Sequence, residues 1–202
     1  RGTALQLAAA FAAELPDERG DALVIEHLSG GIVYGSRHLF NDLTRRQVAI
    51  DSDERIAGLK AGLLSENPDA SKAAAIWLRD NPSVDAMKIA PLIRKALEHW
   101  KKTEAPYPKK SGAVPTSPRK ELLEALDDIE PLGAEELILF MNDDRSDVRD
   151  VAKAAFIKCV ATDPSLQLKL PSLFEAGTLR TDMYSALNQS ELELKDEVWL
   201  GI

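Results

Sequence analysis

A chain of 202 residues with 45% hydrophobic and 5% aromatic residues can bury a core without staples and is too apolar to stay disordered. Its net charge of −8 disfavours a phosphate-backbone binder, which needs a clustered positive surface, and no 18-residue apolar run offers a membrane span. The single cysteine, Cys159, leaves no internal disulfide and fits a reducing compartment, so a cytoplasmic location is expected.

Alanine and leucine carry the apolar content, while Val, Ile and Thr are sparse and nowhere alternate as a half-buried strand would. An all-helical fold follows. Residues 1–15 read as an amphipathic helix with Ala4, Ala8, Phe11, Ala12 and Leu15 on one face. The run Leu5 to Ala13 also resembles a signal-peptide core, but Gln6 interrupts it and Glu14 follows it. Gly30, Gly31 and Gly35 break the next stretch, and residues 31–35 are the one place for a short strand or tight loop. Leu39, Phe40, Leu43 and Ile50 belong to an irregular helical pair beyond it.

From residue 53 the helical period is regular. Residues 53–66 align Ile56, Leu59 and Leu63, and residues 68–80 align Ala70, Ala73, Ala74 and Trp77. Residues 85–102 form the clearest stripe: Ala86, Ile89, Ile93, Ala96, Leu97 and Trp100. Residues 103–117 hold Pro106, Pro108, Pro115 and Gly112 without a stripe and read as an exposed loop. Around it the charge inverts: residues 101–120 carry six cations, Arg119 and Lys120 among them, against the single acid Glu104. Helices at 118–129 (Leu122, Leu126, Ile129), 133–141 (Leu137, Ile138, Met141) and 146–161 (Val148, Val151, Ala152, Ala155, Phe156, Cys159) follow. A degenerate pair over 170–188 closes the series. Pro beside a capping residue punctuates it at Asn67-Pro68, Asn81-Pro82, Ser117-Pro118 and Asp163-Pro164, and Ser146 is the expected N-cap of its helix.

Two segments align at an offset of 78: Pro68 to Leu78 and Ser146 to Phe156 repeat the same order of cap, acid, small apolar and alanine. That is two units of about 39 residues, the size class of HEAT and armadillo units. Leu137 to Phe156, with its apolar helix, acidic turn Asn142 to Asp147 and following Val148-Arg149, resembles a HEAT repeat. The resemblance implies an α-solenoid of about five stacked antiparallel helix pairs. It also implies that Asp147 and Arg149 tie neighbouring repeats together. The first copy departs from the pattern, with Ser71 where the arginine would stand. The expected organisation is one continuous domain: irregular pairs over 1–52, then repeats over 53–202 with the loop 103–117 inserted.

Chemistry is thin. His27, His38 and His99 are not paired at helical spacing, no phosphate loop or nucleophile elbow occurs, and Cys159 sits on an apolar stripe as core. The acidic turn 142–147 lacks the glycine and final glutamate of a calcium loop and reads as helix capping. No enzyme activity, cofactor or metal is therefore expected. The expected function is a protein-binding scaffold or adaptor working through the concave face of the solenoid. One alternative is an acidic inhibitor or immunity-type protein acting on a basic enzyme. Another comes from the resemblance, since some HEAT-like proteins are alkyl-purine DNA glycosylases, for which Trp77, Asp80 and Trp100 would be drafted. For the scaffold, resemblance puts the second helix of each pair on the binding face. Lys72, Arg79, Lys120 and Lys153 would form a modest basic strip there, suited to an acidic peptide rather than nucleic acid. Reversing Lys72, Arg79 and Lys153 to glutamate is expected to leave the fold intact and weaken binding.

Overall fold

The computed structural model describes residues 53–79, 86–104 and 116–190. Among these every regular element is helical: α1 (Asp53–Leu63), α2 (Pro68–Arg79), α3 (Ala86–Thr103), α4 (Arg119–Ile129), α5 (Ala134–Met141), α6 (Ser146–Thr162), α7 (Pro164–Glu175) and α8 (Thr181–Gln189). The expected N-terminal pairs over 1–52, the strand or loop at 31–35, Asp80 and most of the Pro/Lys-rich loop lie outside the described residues.

The helices start where the sequence supplies the missing hydrogen bonds. Asn67 Oδ1 accepts the Asp69 N–H at 3.0 Å, with Pro68 in the first turn of α2, where its lack of an N–H costs nothing. Asp163 does the same for α7, accepting the Ser165 N–H at 2.8 Å with Pro164 next to it. The apolar stripe misplaced this helix: it suggested a start at Leu170, whereas the cap sets α7 off at Pro164. Ser146 is a second displaced boundary. It is the first helical residue of α6, and Arg145, in extended backbone, occupies the N-cap.

The chain divides into two compact units, Arg1–Glu130 and Pro131–Ile202. In the first unit α1 pairs with α2 and α3 with α4, while α1 also packs on α3 and α2 on α4. The four helices thereby close on a core of Leu59, Leu63, Trp77, Leu78, Ile89, Ile93, Leu122 and Leu126, each at most 2% exposed. Burying one such side chain contributes about 1.5–3 kcal/mol. In the second unit α6 is central and packs on α5, α7 and α8. Its face Val148, Ala152, Ala155, Phe156 and Val160 is buried, while Val151 and Cys159, read as core from the stripe, are half-buried at its edge.

The internal match has a structural counterpart. Leu63 and Met141 end α1 and α5, and Pro68 and Ser146 begin α2 and α6; both pairs of positions stand 78 apart. Ala70 and Val148, Ala74 and Ala152, Trp77 and Ala155, Leu78 and Phe156 are matched and all buried. The position where the resemblance misses an arginine carries a polar bond to the preceding segment in both copies, though to different carbonyls. Ser71 Oγ donates to the Leu63 carbonyl at 2.7 Å, and Arg149 Nη1 donates to the Asp143 and Asp144 carbonyls at 2.8 and 3.0 Å. Ser71 ties the start of α2 to the end of α1, whereas Arg149 ties the start of α6 to the turn before it.

Candidate functional site

Helices α2 and α4 lie against each other, and their outer positions carry three of the four cations expected to bind a partner. Lys72 Nζ stands 2.7 Å from Glu121 Oε1, Arg79 Nη1 3.0 Å from Glu124 Oε2, and Lys120 Nζ 3.6 Å from Glu124 Oε1. The structure thus brings Lys72, Arg79 and Lys120 together, but with two carboxylates between them. A basic strip becomes a nearly balanced ladder that bridges two helices. Sequence reading missed it because Glu121 and Glu124 lie on a helix whose contact with α2 spans a sequence gap of 45 residues. The signal was present: the two acids are three apart in α4, on one side of the helix.

Lys153 belongs to the second unit, so the row of all four cations is a feature of neither unit. Its Nζ lies 2.6 Å from Asp182 Oδ2 on α8 and 4.0 Å from Asp150 Oδ1. The hydrogen bond from Lys153 is the main cause holding the Asp182 carboxyl below its ordinary range; burial opposes it, and the charges of Lys153 and Arg180 add to it. Beside this pair is a shallow depression, with Met141, Leu179 and Met183 and the charged groups of Lys153, Arg180 and Asp182 along it. It holds space for about 10 Å³, on the scale of a single water molecule and far below that of a small-molecule site.

The acidic turn before α6 is occupied by its own hydrogen bonds. Asp143 and Arg145 are both 4% exposed. Asp143 Oδ1 accepts the Arg145 N–H at 3.0 Å, and the Arg145 guanidinium grips both Asp147 oxygens, at 3.0 and 2.7 Å. Burial is the largest single influence on the Asp147 carboxyl and pushes it up. The Arg145 hydrogen bonds and charge, with the Val148 N–H, outweigh it and leave the group below the usual range. The resemblance gave Asp147 and Arg149 to repeat stacking. Among the described residues their partners are instead Arg145, Val148 and the carbonyls of Asp143 and Asp144, all in the same turn.

The ends of the Pro/Lys-rich segment also differ from expectation. Arg119, one of the six cations of residues 101–120, is 3% exposed. Its Nη1 lies 3.5 Å from Glu104 Oε2, which also accepts the Ser117 hydroxyl at 3.0 Å, and Ser117 Oγ in turn accepts the Arg119 N–H at 3.3 Å. The lone acid of that basic stretch is therefore a buried clamp that joins the end of α3 to the start of α4.

Trp77 and Trp100, drafted for a base-binding pocket, are 2% and 7% exposed in the core of the first unit, and Trp100 Nε1 donates to Ser71 Oγ at 3.1 Å. Neither presents a ring face on which a base could stack. His99 packs its ring edge-on against Trp100 at 5.8 Å. Cys159 Sγ donates to the Leu132 carbonyl at 3.4 Å. No family model, no curated protein and no solved structure matches the chain.

Proposed function

We propose that the chain is a non-catalytic scaffold of stacked HEAT-like helix pairs that binds a protein partner on its exposed helix faces. One observation carries this reading: residues 53–79 and 131–157 form similar hairpins, with matching helix ends at the turn and matching buried positions on both helices. A repeated helix pair cannot bury its apolar stripe alone and stacks on its neighbours, which leaves long rows of outward positions free for recognition. The packing of α1 on α3 and of α2 on α4, first helix on first and second on second, supports the same reading. The cations of the α2–α4 ladder hold helices together in this account, so the acidic-peptide strip is not where we place the partner. No helix of the described residues is long and apolar enough to cross a membrane. We place the scaffold in a reducing compartment, where Cys159 stays a thiol.

Chemical cross-linking in the native host, followed by capture and mass spectrometry, tests the proposal. A scaffold yields a protein that rebinds the purified chain with fixed stoichiometry. Failure to obtain one overturns the reading, and so does release of a base from alkylated duplex DNA by the purified chain.

A further inference from the structure

We infer that the outer face of α5, centred on Leu139 and Glu135, docks a basic amphipathic helix of a partner protein; this rests on the scaffold reading above. Helix α5 is almost wholly apolar after its first turn, yet it fully buries Leu137 and Met141 alone. Leu139 is 71% exposed, and Ile138 and Phe140 beside it are half-buried. The first copy of the hairpin shows that packing does not require this bulk. At the matching offset of 78, Ala57, Ala61 and Gly62 of α1 stand where α5 has Glu135, Leu139 and Phe140. Helix α1 pairs with α2 while burying Leu59 and Leu63, the counterparts of Leu137 and Met141, and carries only small residues at those other positions, so the large Leu139 and Phe140 side chains of α5 serve something outside the hairpin.

Charge selects the occupant. Glu135 precedes Leu139 by four residues, so the two share one side of the helix. It is exposed and forms no ion pair among the described residues. Glu136 adjoins it, and α5 contains no cation. A leucine with the Glu135 carboxylate one turn before it is complementary to a helix that shows an apolar stripe bordered by Lys or Arg. An acidic helix laid on the same face would meet Glu135 with like charge.

The test uses the full chain and three fluorescein-labelled peptides of 18 residues each. The first is a Leu/Lys helix with its leucines on one face, the second has the same composition with leucines dispersed, and the third is a Leu/Glu amphipathic helix. Anisotropy should show saturable one-to-one binding of the first peptide alone. Leu139→Ser should weaken it about tenfold or more, the loss expected from one leucine's burial. Glu135→Gln should weaken it about threefold and flatten its salt dependence. Leu168→Ser, which alters a leucine on α7 that is 64% exposed, should change nothing. Unchanged far-UV circular dichroism confirms that each variant folds. Absence of saturable binding, equal binding of either control peptide, or an unchanged Leu139→Ser affinity overturns the inference. So does a concentration-dependent dimer that Leu139→Ser abolishes, because a second copy would then own the face. If the partner captured by cross-linking still binds the Leu139→Ser variant with full affinity, the surface is wrong and the scaffold stands. If the wild-type chain captures no partner, the scaffold reading itself falls.

Discussion

A hydroxyl inside a hydrocarbon core is costly unless its hydrogen-bonding capacity is used. Ser71, at 0% exposure, uses both sides of its oxygen: it donates to the Leu63 carbonyl and accepts from the Trp100 indole. One atom therefore joins α1, α2 and α3. Ser71→Ala should cost about 1–3 kcal/mol, because it strands a buried carbonyl and a buried N–H together. Urea denaturation would measure this, and a loss below about 0.5 kcal/mol would mean that water or a shift in packing replaces the hydroxyl. The alignment shows only that an arginine is missing here; that the serine ties α2 to the end of α1 depends on a bond across eight residues that spacing does not reveal.

Asp147 carries the pH dependence. Its folded carboxyl sits below its ordinary range, so between that lowered value and the unfolded value near 3.9 the unfolded chain binds the proton first. The stabilisation it contributes is fully present above the unfolded value and is lost as pH falls through the folded one. Asp147→Asn should therefore flatten the acid limb of stability between about pH 5 and 2. Solvent screening at this half-open site keeps the direct electrostatic part small. Near pH 7 the larger effect is on Arg145, whose side chain is 5% exposed and loses its carboxylate; the expected cost is about 1–2 kcal/mol. Urea midpoints from pH 2 to 7 would show both effects, and an acid limb as steep as that of the wild type would contradict the assignment.

At the scale of the helix, the apolar stripes were legible and the ion pairs were not. Leu59, Leu63, Ile89, Ile93, Trp100, Leu122 and Leu126 were all placed on stripes by period alone and are all buried, because a helix must turn its apolar side toward whatever packs on it. Which carboxylate meets Lys72 depends instead on the register between α2 and α4, to which the period of either helix is blind. The ladder reverses one expectation from the sequence. Changing Lys72 and Arg79 to glutamate sets like charges against Glu121 and Glu124, and Glu121 is only 11% exposed. The double variant should lose about 1–3 kcal/mol rather than keep the wild-type stability. Adding Glu121→Lys should restore part of that loss. A double variant as stable as the wild type would show that the ladder is only a surface pairing.

At the scale of the molecule, the division at Glu130–Pro131 assigns each of these effects to its own half. Ser71→Ala should lower hydrogen-exchange protection across α1 to α4 and leave α5 to α8 unchanged, and Asp147→Asn should do the reverse. The two substitutions share no partner among the described residues and should add within about 0.5 kcal/mol. Protection lost equally in both halves after either substitution would mean that the chain unfolds as one unit.

By itself the sequence determined that the described residues are helical, where most of their helices begin and end, and that one hairpin pattern recurs at an offset of 78. Those properties are local: periodicity, caps and proline act within a few residues of chain. The tertiary structure decided what each outward side chain does. It set carboxylates beside Lys72, Arg79, Lys120 and Lys153. It also buried Arg119 against Glu104 and left Leu139 in solvent. The reason is physical: the fate of a charged or apolar side chain is set by what another helix brings within about 4 Å, and that neighbour comes from a distant part of the chain.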